Sequence, residues 1–90
     1  MFELKRNKMT LDILTPDKEI FSGEIKLIKI PGTNGSFEIL ENHAPIVSTI
    51  DKGELKLITK DGNEIFYNVS GGIVECSNNK VSVLLESVLS

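Results

Sequence analysis

The sequence predicts an all-β domain, a small flattened antiparallel sandwich or barrel of about 8 to 10 short strands. Apolar and polar residues alternate with a period of two in several short segments, TLDILT and KVSVL among them. Turn-forming clusters, TPDK, PGTNG, KDG, SGG and SNN, punctuate these segments at intervals of about 8 to 12 residues. Helical periodicity is absent throughout.

The first eight residues, MFELKRNK, carry the basic cluster Lys5, Arg6 and Lys8 but no apolar run of the kind a secretory signal needs. Residues 1–8 read as a poorly ordered leader or a remnant outside the native domain, and residues 9–90 as a single β-sandwich domain. In TLDILT, Leu11 and Ile13 share one face and Asp12 takes the other. The TPDK turn follows, then EIFSG as a short strand ending on a turn at Gly23. EIKLIKI is apolar at Ile25 and Leu27, then at Ile28 and Ile30, so its phase slips by one residue; a bulge or burial on both faces explains that. PGTNG, from Pro31 to Gly35, is the strongest break in the chain, and SFEIL alternates behind it.

GELKLITKDGNEIFYNVSGG reads as a hairpin whose register follows from its apolar phases. A two-residue Asp61-Gly62 loop would set Leu57 across from Phe66 and mix faces. A three-residue loop of Lys60, Asp61 and Gly62 sets Leu57 against Ile65 and Leu55 against Tyr67, with a type I turn, Gly62 left-handed and a G1 bulge. Gly71 and Gly72 mark a turn, a bulge or a close backbone approach. IVEC, the SNN turn and KVSVLLESVLS end the chain, with Val81, Val83 and Leu85 inward and Ser82 and Glu86 outward.

At 90 residues and 9.9 kDa there is room for one domain with a modest core. A net charge of -3 provides no basic stripe for nucleic acid. No apolar run approaches the roughly 20 residues that span a bilayer, so direct membrane insertion is not expected. The single cysteine, Cys76, has no internal disulfide partner and fits a small core residue. His43 is the only histidine. A hydrolase would need it beside Glu41, Cys76 or Ser70, and no spacing connects them. One His and one Cys do not make a zinc site, and neither GTNG nor SGG opens a helix that might hold an anion. No catalytic residue, metal or cofactor is therefore assigned. What remains for so small a domain is binding, most simply to protein.

The ordered set TLDILTP, FSGEI, GSFEI, NHAP, VSGGI and KVSVL resembles the N-terminal sandwich domain of the epsilon subunit of bacterial F-type ATP synthase, whose mitochondrial counterpart is called delta. The likeness runs from Met9 to Leu89. Gly35, Ile39, His43, Ala44 and Pro45 match the family pattern around the histidine, whereas Ser36 stands where an acid is common, Glu38 where glycine is common, and Asn42 precedes the histidine. The resemblance implies a non-catalytic subunit of the rotating central stalk, clamped to the gamma subunit and resting on the c-subunit ring at the cytoplasmic face of the bacterial inner membrane. It would couple ion-driven rotation to ATP synthesis. Thr33, Asn34, Gly35, Ser36, Glu38, Glu41, Asn42, His43 and Ala44 would form the ring-facing loops. Gly23, Pro45, Gly62, Gly71 and Gly72 would shape turns, Pro45 also holding Ala44 extended. Ile28, Ile58 and Leu84 would serve either as apolar anchors of the interface between gamma and the ring or as core. Nucleotide binding is not expected without the family's C-terminal hairpin. The alternatives are a free-standing β-sandwich adaptor and, from another class, an enzyme using His43 and Glu41.

Overall fold

The computed structural model describes residues 8–90. Of the leader assigned to residues 1–8, only Lys8 falls within them; it is exposed, its Nζ 3.9 Å from the Glu24 carboxylate. Eight strands follow: β1 (Thr10–Leu14), β2 (Glu19–Gly32), β3 (Gly35–Leu40), β4 (Ile46–Ile50), β5 (Gly53–Thr59), β6 (Glu64–Val69), β7 (Gly72–Ser77) and β8 (Lys80–Leu85). Among the described residues there is no helix.

One strand departs from the expected short lengths. β2 runs for 14 residues, through both Gly23 and Pro31. Gly23 is thus no turn; it pairs with Leu11 in the middle of an antiparallel ladder. Nor does the chain break at Pro31, which sits in the ladder opposite Ser36 while its carbonyl accepts the Asp51 N–H at 2.7 Å. Proline keeps its acceptor when it loses its donor, and only the donor is missed in a ladder.

The length of β2 lets it serve two layers. Its first half pairs with β1, and its second half lies between β3 and β5. Between the halves the register with β5 shifts, Ile25 facing Thr59 but Leu27 facing Ile58. This is the bulge that the slipped apolar phase implied, and it turns both Ile25 and Ile28 into the core. One layer is therefore β3-β2-β5-β6 and the other β2-β1-β8-β7-β4, with a final Gly32–Ile50 pairing joining them.

Pairing is antiparallel except between β1 and β8, which run parallel from Thr10–Lys80 to Leu14–Leu84. Parallel neighbours need a long crossover, which here is the rest of the chain, and no local pattern reports it. Leu11, Ile13, Val74, Val81 and Val83 from one layer meet Ile28, Ile30, Ile39, Leu55, Leu57 and Val69 from the other in a single core. Met9, 2% exposed, closes it at the start of β1, and Cys76 fills a small core position. Val81, Val83 and Leu85 point inward as their alternation required.

The β5–β6 hairpin has the expected register, Leu57 opposite Ile65 and Leu55 opposite Tyr67. Gly62 N–H donates to the Thr59 carbonyl at 2.9 Å and Gly62 has a φ of 89°, as a type I turn with a G1 bulge requires. A β-carbon on Gly62 would touch nothing within 4 Å. Gly62→Ala is therefore expected to cost only its conformational penalty, about 1 kcal/mol. An unchanged urea midpoint for that variant would count against the turn.

Candidate partner-binding loops

The residues expected to bind partners lie on or beside β3, so the β2–β3 hairpin positions them. Thr33 and Asn34 form its two-residue turn, closed by the Gly32–Gly35 pairing. The turn is braced from the other layer, Thr33 Oγ1 lying 2.6 Å from Thr49 Oγ1. Gly35, with φ of 118°, completes the turn, and Gly32 must remain without a side chain because a β-carbon would come within 2.8 Å of the Phe37 ring and the Gly35 carbonyl. Thr33, Asn34, Gly35 and Ser36 are all exposed.

At the far end of β3 the chain turns again. His43 N–H donates to the Leu40 carbonyl at 3.1 Å, closing a turn over Glu41 and Asn42. Asn42 is left-handed at φ 66°. Its N–H donates to Asn79 Oδ1 at 2.6 Å, and Asn79 Nδ2 donates to Asn42 Oδ1 at 3.2 Å. His43 is half-buried, its Nδ1 donating to the Ala44 carbonyl at 2.6 Å, which places a proton on that nitrogen. Pro45 follows, restricting Ala44 to extended backbone and delivering the chain into β4.

The two sets are not companions. They occupy opposite ends of β3, whose six residues separate them by roughly 20 Å at about 3.3 Å per residue. The loops expected to face the ring, Thr33–Ser36 and Glu41–Ala44, thus stand at the two ends of one strand, because a strand that crosses the sheet carries its flanking turns to opposite edges. Glu38 belongs to neither end. It projects from mid-β3 beside Lys29 of β2.

The alternative enzymatic groups are likewise dispersed. Ser70 lies at the Thr33 end, its hydroxyl shared with Ser87, and Cys76 is buried, its thiol pushed up by loss of solvation. Among the described residues no three His, Cys, Asp or Glu side chains gather into a metal site, and no helix is long and apolar enough to cross a membrane.

Of the three apolar anchor candidates, Ile28 is core at 0% exposure, Ile58 is half-buried, and Leu84 stands 51% exposed on the outer face. Leu84 is not alone. Leu14 pairs beside it on β1 and Ile73 on β7, and Ile73 in turn faces Thr49, two residues from Val47 on β4. Leu14, Leu84, Ile73 and Val47, between 38% and 64% exposed, thus form an apolar strip across four strands. The signal for it in the sequence is phase: each is a large apolar residue on the outward parity of a strand whose inward parity is already apolar.

The family described as the β-sandwich domain of the ATP synthase delta/epsilon chain matches residues 8–90. The chain is 43% identical over 79 residues to the ATP synthase epsilon chain of Chlorobaculum tepidum, covering 88% of this chain and 90% of that one. To the epsilon chain of Maridesulfovibrio salexigens it is 42% identical over 81 residues, covering 89% of this chain but only 56% of that longer one. In fold it superposes on a chain of the Euglena gracilis mitochondrial ATP synthase, solved as an OSCP/F1/c-ring assembly, with a TM-score of 0.86 at 19% identity, covering 97% of this chain and 56% of the other. A chain of the Tetrahymena thermophila central stalk and c-ring gives 0.77 at 21% identity, with coverages of 97% and 69%.

Proposed function

This chain belongs to the ATP synthase delta/epsilon chain β-sandwich family, and from that premise we propose that it is a non-catalytic subunit of the central stalk, held by gamma and seated on the c-ring. The observation that carries the reading is the strip of Leu14, Leu84, Ile73 and Val47, an apolar surface on an otherwise polar outer face. Contiguous apolar surface of that kind marks a contact with another protein. We assign it to gamma; the sandwich then adds buried area between gamma and ring, so that ion-driven rotation reaches the catalytic head without slip. Specific interfaces bury at least about 1,000 Å² and concentrate their energy in a few central side chains. Leu84, in the middle of the strip, is the natural anchor. In this setting the protein sits peripherally on the cytoplasmic face of the bacterial inner membrane.

Because the Thr33 and His43 turns lie at opposite ends of the body, they touch different neighbours, one of them the c-ring. Single-cysteine variants at Asn34 and at His43, each carrying a photo-crosslinker in the assembled synthase, test this. Buried Cys76 offers no competing handle. Cross-links from the two positions are expected to go to different subunits, c in one case; both going to the same subunit would sink the reading, as would failure of the tagged chain to recover gamma and c subunits from solubilised membranes.

A further inference from the structure

Three asparagines, Asn42, Asn78 and Asn79, hold positive φ angles of 66°, 52° and 61°, and they are the only non-glycine residues to do so among the described residues. Asn78 and Asn79 form the two-residue turn between β7 and β8, closed by the Ser77–Lys80 pairing. Two successive positive φ angles make it a type I′ turn, whose favoured sequence is Asn-Gly. Asparagine in the second position therefore forgoes the freedom that glycine would bring, and a local account of the turn leaves that choice unexplained.

Its side chain supplies the explanation. The Asn79 amide reaches across to the β3–β4 loop and makes two complementary bonds to Asn42, accepting from its N–H and donating to its side-chain oxygen. The same residue's backbone carbonyl accepts the N–H of Thr10 at the start of β1. We infer that Asn79 is a positioning residue: its amide stands in for a ladder partner, locks Asn42 in the left-handed conformation and so presents Glu41 to Ala44 in one shape to the neighbour they bind. The backbone at Asn42 donates to a side chain that no glycine could provide. The loop's order is thereby delegated to a residue 37 positions away. Binding by a preformed loop avoids the cost of ordering it at the moment of contact.

The proposal rests on the reading that the His43 loop meets a partner, and the two are separable. Amide exchange at Asn42, followed by NMR, reports the clamp alone; reconstitution onto ATP synthase stripped of its epsilon chain reports the contact. Asn79→Gly suits the turn and removes the amide. It is expected to leave the thermal midpoint unchanged or higher, to reduce protection of the Asn42 N–H by roughly tenfold, and to weaken reconstitution by about fivefold. Asn79→Asp keeps the acceptor and is expected to retain most of that protection. Undiminished Asn42 protection in Asn79→Gly would overturn the inference, and so would equal loss in Gly and Asp variants. If protection falls in Asn79→Gly but reconstitution is indifferent to it and to His43→Ala, the clamp stands and the partner role of the loop is withdrawn.

Discussion

Replacing Gly72 by alanine is expected to lower the unfolding free energy by about 3 kcal/mol, at the upper end of the overpacking range. Gly72 opens β7, pairing with Leu85 on one side and Ile50 on the other. Its φ lies outside the left-handed region, so its torsion suits any residue. Space is what it lacks: a β-carbon there would be driven into the Leu84 carbonyl oxygen, with the Leu84 carbonyl carbon and Leu85 Cα each 3.0 Å away. All three are backbone atoms of a paired strand. No rotamer change relieves the clash, and β8 can yield only by giving up ladder bonds on both its sides. Gly23→Ala is the matched control, because its β-carbon would rest 3.5 Å from the Phe21 ring in ordinary contact. Urea titration of the pair, read at constant slope, checks this; equal midpoints would mean that β7 and β8 approach less closely than described.

Leu57→Ala is expected to cost a similar amount, about 3 kcal/mol, by leaving a cavity. Leu57 is 0% exposed and sits on β5 between Ile28 of β2 and Ile65 of β6. Its ladder neighbours belong to the strands on either side, β2 and β6, so the surroundings cannot collapse onto a smaller side chain without moving backbone. Total stability of a small domain is typically about 5–15 kcal/mol, so this single truncation removes a large share. Ile58→Ala, one residue on and on the half-buried outer face, should cost no more than about 1 kcal/mol. The parity difference is the measurement that matters: equal effects at 57 and 58 would show that the hairpin register is wrong.

The β5–β6 register is legible because Leu55 and Leu57 on one strand and Ile65, Tyr67 and Val69 on the other set the inward phase, and one glycine limits the turn. The bulge in β2 was legible for the same reason, as a break in phase at Leu27 and Ile28. Gly23 and Pro31 misled because each is a common punctuator in isolation, whereas their strand partners, Leu11 and Ser36, tolerate them. The parallel β1–β8 pairing joins residues some seventy positions apart and leaves no local trace. The site residues were legible as turns, since Asn34-Gly35 and His43-Ala44-Pro45 announce themselves. Their separation follows from the six-residue length of β3, which lies between them. The bonds between Asn42 and Asn79 were invisible, because asparagine signals a turn without saying what its amide will reach.

β2 contributes half its length to each layer, and this determines how the protein comes apart. Neither layer can melt while the other survives, because the same backbone would have to be both ordered and free a few residues apart. Partial openings that leave one sheet intact are thereby penalised, and unfolding is held to a single cooperative event. That absence of a soft seam means that a force applied to the domain finds no weaker part of its structure to yield first.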